Sequence, residues 1–249
     1  MNTSQFSGKA AFITGAGSGI GAATAILLAE RGAAVALFGR RKDKLDDVAA
    51  QIRAAGGSAL AVPGDVSVPS DVERAIDHTV AEFGALHFGV NNAGMSGYFQ
   101  PVANLSIENW TEVINVNLSG LFYSMKYEIP SILAAGAGAI VNVSSVFADR
   151  GGPSTDYSSA KHAIRGLTRT AAKDYAGSGI RVNELQPGVI DTDLTQANPE
   201  GTQAVADHGI PLKRVGTARE AATAIAFLLS EDASYITGAH LAVDGGFLA

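Results

Sequence analysis

Tyr157 and Lys161 stand four residues apart in Tyr-Ser-Ser-Ala-Lys, and their types and spacing suit proton transfer. On a helix that spacing puts both side chains on one face, within reach of each other. A free tyrosine has a pKa of about 10, too high for exchange near neutrality. A cation within about 4–6 Å favours the phenolate and lowers that value toward the range where general acid–base catalysis is efficient. Just upstream, Ser144 and Ser145 end the apolar run 139–143, so a rigid strand end can present a hydroxyl to the same point. Alone, such a pair is more often a helix-surface feature with a solvated lysine. Chemistry follows only if the rest of the chain brings a ligand beside it.

The elements that would do so read clearly. Ala10-Ala-Phe-Ile13 is a short buried strand followed by Thr14-Gly15-Ala-Gly17-Ser18-Gly19-Ile20-Gly21 and a helix to about Arg31. Glycines permit a sharp turn and close approach of a ligand, and a helix N-terminus offers free N–H groups to a pyrophosphate. The second strand, 33–38, ends at Gly39-Arg40-Arg41-Lys42. An acidic residue at this strand end binds the ribose 2′-hydroxyl of NAD, whereas arginine accommodates the 2′-phosphate of NADP. Gly39 followed by Arg40 and Arg41 therefore predicts NADP(H) in preference to NAD(H), with Ser18 a further donor to the phosphate.

A third strand ends at Gly64-Asp65-Val66, and Ser70-x-x-Glu73 reads as a capping box for the next helix. The fourth, 86–90, runs into Asn91-Asn92-Ala93-Gly94, where amides can tie strand ends together and small residues leave room for a cofactor. A helical pattern covers 106–133, with Asn117 in its apolar middle. The sixth strand, 180–185, is closed by Gln186-Pro187-Gly188-Val189-Ile190-Asp191-Thr192. Residues 193–215 carry Pro199, Gly201, Gly209 and Pro211 around a weak helical pattern and read as a lid. Thr217-x-x-Glu220 opens the last helix as a second capping box, before a final strand at 240–243. Six or seven strands alternating with helices predict an α/β fold, a Rossmann-like doubly wound parallel sheet whose ligands bind beyond the strands' carboxyl ends.

Composition bounds the remaining classes. A chain of 249 residues with 47% hydrophobic residues suits one domain over 1–249. A net charge of −6 gives no basic surplus for nucleic acid or anionic lipid, and no apolar run is long enough for a membrane span. The absence of cysteine excludes disulfides and thiolate chemistry and fits a cytoplasmic location; scattered histidines predict no metal site. A serine-hydrolase elbow is also missing, since Ser18 lies in Ala-Gly-Ser-Gly-Ile.

Taken together and in order, Thr14-Gly-x-x-x-Gly-Ile-Gly21, Asp65, Asn91-Asn-Ala-Gly94, Asn117, Ser144-Ser145, Tyr157-x-x-x-Lys161 and Pro187-Gly…Thr192 resemble the classical short-chain dehydrogenase/reductase family over essentially the whole chain. That resemblance implies Tyr157 as the acid/base, Lys161 tuning it and binding the nicotinamide ribose, and a serine on the carbonyl oxygen. It also implies Asn117 in a water-linked proton relay, Thr192 at the carboxamide with Val189 and Ile190 nearby, and a homotetramer. The serine spacing departs from the family: Ser145, the second of the pair, lies one residue closer to Tyr157 than is usual. Ser145 is assigned on strand direction, Ser144 remains the alternative, and a one-residue deletion is placed between Gly151 and Tyr157.

An NADPH-dependent carbonyl reductase, running reversibly as an alcohol dehydrogenase, is the leading expectation. A 3-oxoacyl-carrier-protein reductase ranks lower, because Gly136-Ala-Gly138 and Ser178-Gly179 lack the basic residues that would hold an acidic carrier. An NAD-linked polyol or sugar dehydrogenase is disfavoured by Gly39 and Arg40, and a non-catalytic NADP sensor by the intact Ser/Tyr/Lys set. Tyr98, Phe99, Phe147 and Leu194 suggest a partly apolar ketone.

Overall fold

In a computed structural model, residues 5–196 and 198–249 are described, without the side chain of Leu194. The N-terminal Met1-Asn-Thr-Ser4 and the Leu194 contribution to the pocket thus lie outside the described residues. The strands are β1 (Ala10–Thr14), β2 (Ala34–Gly39), β3 (Ser58–Pro63), β4 (Phe88–Asn91), β5 (Gly138–Val143), β6 (Ile180–Pro187), β7 (Ile190–Asp191), β8 (Gly216–Thr217) and β9 (His240–Val243). Seven form one parallel sheet in the order β3-β2-β1-β4-β5-β6-β9, and β7 and β8 pair separately. Central strands of a parallel sheet are covered on both faces, so they are near-continuous apolar runs, as all-buried β1 shows.

The helices are α1 (Gly19–Glu30), α2 (Lys42–Ala54), α3 (Pro69–Phe83), α4 (Ile107–Ile114), α5 (Gly120–Ala134), α6 (Thr155–Tyr175), α7 (Asp193–Gln196), α8 (Pro199–Gly209) and α9 (Ala218–Leu229). Alternate strand residues feed two cores. Ala11, Ile13, Val35 and Leu37 pack with Leu27 and Leu28 of α1, Leu45 and Ile52 of α2, and Ile225 and Leu229 of α9. Phe12, Phe38 and Ile140 face Ile76 of α3, Leu121, Met125 and Ile129 of α5, and Ile164 of α6. No helix among the described residues is long and apolar enough to cross a membrane.

Two local expectations are corrected. The Ser70/Glu73 capping box does not form: α3 starts two residues earlier than that box requires, at Pro69, with Val68 as N-cap and no side-chain cap. Proline's fixed φ suits the first helical position, and it outweighs the polar signature one residue later. The helical pattern over 106–133 is not one regular helix either, because a π turn at Asn115–Ser119 separates α4 from α5. The Thr217/Glu220 box forms as read.

Candidate active site

All six turns after β1 to β6 open on one edge of the sheet, where a cavity of about 600 Å³ runs from Arg40 and Arg41 to Tyr157. At one end Gly15 and Gly19 take positive φ, of 65° and 54°, a conformation that favours glycine. The loop is also crowded: a Cβ on Gly15 would lie 2.9 Å from the Asn92 amide, and one on Gly19 3.0 Å from the Thr192 methyl. Ser18, N-cap of α1, makes no side-chain cap; its hydroxyl accepts from the Arg41 guanidinium at 2.8 Å. Arg41 also lies 3.4 Å from Asp193 at the start of α7. Arg40 and Arg41 are both exposed on the cavity rim.

Gly15, Gly17, Ser18, Gly19, Ile20, Gly39, Arg40, Arg41, Asp65, Val66, Ala93 and Gly94 all line the cavity, as do Pro187, Gly188, Val189, Ile190 and Thr192. Two expected cofactor contacts stand behind its wall instead. Gly21 packs on the Gly15 carbonyl, where a Cβ has no room. Asn91 is 1% exposed and donates to Glu128 and to Asn142 at 3.0 Å each. Its neighbour Asn92 ties the glycine turn down, donating to the Thr14 carbonyl at 3.1 Å, while the Thr14 hydroxyl accepts from Asn92 N and Ala93 N. The Asp65 carboxylate accepts from the backbone and hydroxyl of Ser67, closing a turn at the rim.

At the other end, Tyr157, Lys161, Asn117, Ser144 and Ser145 share the cavity wall. The Ser145 hydroxyl stands beside Tyr157 and accepts from Phe147 N at 3.2 Å. The Ser144 hydroxyl turns away, donating to the Glu184 carboxylate. The Lys161 ammonium is 5.4 Å from the centre of the Tyr157 ring and donates to the Val143 carbonyl at 3.1 Å. Burial pushes the Tyr157 phenol above its ordinary value, with the nearby Ser145 hydroxyl opposing. Burial lowers Lys161 to about 8, with Glu184 opposing. In the chain alone burial thus outweighs the neighbouring groups at the Tyr157 phenol, and the Lys161 ammonium faces the ring and the Val143 carbonyl.

Asn117 is fully buried within the π turn. Its amide donates to the carbonyls of Met95 and Val113, and its oxygen accepts from Met95 N at 3.2 Å. The extra residue of a π turn re-aims a side chain that a regular helix would send elsewhere. A Cβ on Gly94 would sit 2.7 Å from the Asn117 oxygen and 3.7 Å from the Lys161 nitrogen, so Gly94 is the space between them.

A short-chain dehydrogenase/reductase-type model, described as enoyl-(acyl carrier protein) reductase, matches residues 15–248. The chain belongs to the short-chain dehydrogenase/reductase family. It is an oxidoreductase of the class that uses a nicotinamide cofactor and acts on CH–OH groups. It is 45% identical to a cyclohexanol dehydrogenase of Acinetobacter sp. (strain SE19), over 98% of this chain and 97% of that protein. It is 46% identical to a cis-4-hydroxycyclohexanecarboxylate dehydrogenase of Sinomonas cyclohexanicum, over 98% of each. Among solved structures, a short-chain dehydrogenase from Burkholderia cenocepacia J2315 in complex with NADP superposes with a TM-score of 0.92. That protein is 31% identical, with 98% of this chain and 100% of that one covered.

Phe99 and Phe147, read from the sequence as pocket residues, line the cavity of this dehydrogenase/reductase site, whereas sequence reasoning passed over the anchoring roles of Asp156 and Glu184. Met95, Ser96, Gly97, Phe99, Phe147 and Pro153 form the cavity's outer half, and Phe147 meets Phe247 of the C-terminal tail edge-on at 6.3 Å. Asp156, fully buried, accepts from Tyr98 N at 3.0 Å and from Tyr157 N at 2.7 Å, anchoring the 97–98 loop to the start of α6. Glu184, 1% exposed, stands behind Ser144. A charge inside the apolar run of β6 was the available signal, because ionised residues are almost never buried unpaired.

Proposed function

We propose that this enzyme interconverts cyclic secondary alcohols and their ketones with NADP(H), using Tyr157 as the acid/base. The placing of Ser145 beside Tyr157 on one cavity wall, with the Lys161 ammonium 5.4 Å from the centre of the Tyr157 ring, carries the reading. It puts two hydroxyls where one substrate oxygen can contact both. Ser144 cannot share that role while its hydroxyl is committed to Glu184.

The cavity fits a dinucleotide. The crowded glycine loop and the α1 N-terminus suit a pyrophosphate, and Ser18, Arg40 and Arg41 suit a 2′-phosphate with no carboxylate at position 39 to oppose it. A nicotinamide held there would supply the hydride acceptor for the carbinol carbon and, in the reverse direction, the hydride donor for the ketone. In oxidation the Tyr157 oxygen accepts the hydroxyl proton, and in reduction it donates one to the carbonyl oxygen. Ser145 orients that oxygen. Lys161 stabilises the phenolate and would hold the nicotinamide ribose, and Asn117 extends the proton path past Gly94. Thr192, with Val189 and Ile190, holds the nicotinamide end, and segment 193–215 closes the site within a single domain.

A cyclic substrate is favoured because Met95, Phe99, Phe147 and Pro153 give the outer cavity an apolar wall, and because two relatives are named for oxidation of cyclohexane alcohols. The test is initial rates with NADP⁺ and NAD⁺ on cyclohexanols, linear secondary alcohols and sugars, and with NADPH on the matching ketones and on 3-oxoacyl thioesters. Cyclohexanol turnover with NADP⁺ is expected, falling about 10²- to 10⁴-fold in Tyr157→Phe without loss of cofactor binding. Preferential use of acyl thioesters, or activity surviving in Tyr157→Phe, refutes the reading.

A further inference from the structure

Lys161 is 4% exposed and Arg165 lies one turn along the same face of α6, so two cations face the ends of β5 and β6 together. A buried ammonium on the same helix face as a partly buried guanidinium needs a counter-charge. The groups facing them are few. From β6 comes Glu184, which accepts from Arg165 Nε at 3.3 Å and from the Ser144 hydroxyl. From the loop after β5 comes Asp149, which accepts from Arg165 Nη2 at 2.9 Å and from Gln186 at 2.9 Å. His240 of β9 acts electrostatically on Asp149. On α6 itself stand Tyr157 and, turned toward the 97–98 loop, Asp156. Of the two carboxylates bonded to Arg165, Glu184 is the buried one, while Asp149 is exposed and held at about 2, chiefly by its hydrogen bond from Arg165.

We propose that Glu184 is a positioning residue for proton transfer: it takes the Ser144 hydroxyl out of the reaction, leaving Ser145 to act, and supplies the buried negative charge that keeps Lys161 an ammonium beside Arg165. Lys161 and Arg165 against Glu184 and Asp149 then form a neutral cluster at the base of the site. Removing one negative charge lowers the proton affinity of every neighbour, Tyr157 and Lys161 alike. Removing the Arg165 cation raises it.

The inference rests on the proposed acid/base role of Tyr157 and Lys161, but its main test needs no turnover. In protein labelled with ¹³C at lysine, the ε-carbon signal that Lys161→Ala removes is titrated with pH. Glu184→Gln is expected to move its midpoint down by about one pH unit, and Arg165→Met to move it up. Opposite shifts are the signature, because a purely structural role loosens the site in the same sense in both variants. Shifts of the same sign, or none in either folded variant, overturn the proposal. Should Glu184→Gln fail to fold, Arg165→Met decides alone: an unchanged or lowered midpoint overturns the proposal. With an active substrate, both limbs of the pH–rate profile follow the same directions. A wild-type enzyme inactive on every alcohol and ketone sinks the functional reading and leaves the lysine titration to judge Glu184.

Discussion

Replacing Gly39 by aspartate isolates cofactor choice from folding. Gly39 ends β2 on the cavity wall and is not among the positive-φ glycines, and an added Cβ meets only Leu45 Cδ2, at an ordinary 3.7 Å. No strain is expected, so the introduced carboxylate acts through charge and hydrogen bonding. Unit charges about 4 Å apart interact by about 1 kcal/mol in water and about 4 kcal/mol at the effective dielectric of a protein surface. With Arg40 and Arg41 exposed, a value near 2 kcal/mol is reasonable, which is about a 30-fold loss in kcat/KM for NADPH. NADH gains a charged hydrogen bond from its ribose hydroxyls, worth about 1.5 kcal/mol or roughly tenfold. The NADPH/NADH ratio of kcat/KM should thus fall about 300-fold at low ionic strength, and by less in high salt, which screens exposed charges. The assay compares both cofactors at saturating ketone, with thermal unfolding as the control. A ratio changed by less than about fivefold, in protein with an unchanged Tm, refutes the assignment of this strand end to the 2′-phosphate.

Three further outcomes are expected. Asp193→Ala frees Arg41 from an exposed pair worth little to stability, so KM for NADPH should fall about two- to fivefold while Tm stays put. Gly97→Ala forces a Cβ into Ser154 and Asp156 and to 2.9 Å from the Tyr157 Cβ. Displacement of catalytic groups by about 1 Å can cost about 10²-fold, so kcat should drop far more than Tm, and an unchanged kcat would show that the 97–98 loop does not position Tyr157. Burial raises the Glu128 carboxyl from 4.5 to about 8, with the Asn91 hydrogen bond opposing. A raised carboxyl binds its proton more tightly in the folded state, so its contribution is whole below about 4.5 and is lost as pH rises toward about 8. Thermal unfolding of Glu128→Gln should therefore show a flatter decline over that window than the wild type; parallel curves would remove Glu128 from the account.

Much of this architecture was legible because buried parallel strands are short apolar runs and each ends in a glycine, proline or polar turn. The runs ending at Ile13, Phe38, Val62 and Val143 needed no tertiary information. The glycine loop and the Tyr157/Lys161 pair were legible for the same reason, since local backbone geometry and helical spacing define them. Side-chain direction at buried polar positions was not. Ser144 and Ser145 are adjacent hydroxyls in sequence, and only Glu184, about forty residues on, shows which one is withdrawn. Asn91 and Asn92 likewise differ by the strand's alternation, one facing the sheet's interior partners and the other the glycine turn. The π turn left no periodic trace, because one additional residue shifts an apolar pattern too little to stand out from ordinary helix.

That same π turn restricts which lengths of this chain can persist through descent. Deleting one residue between Asn115 and Ser119 would restore a regular helix, but each residue of helix is about 100° of rotation. If α4 stayed in place, α5 would roll by that angle and carry Leu121, Met125, Ile129 and Ile132 off the sheet. If α5 stayed in place, Asn117 would swing away from Met95 and Lys161. Neither half can absorb the missing residue, so the shortening is barred by packing on one side and by chemistry on the other. Loops such as 151–154, which carry no such phase, are where the chain can change length and leave both intact.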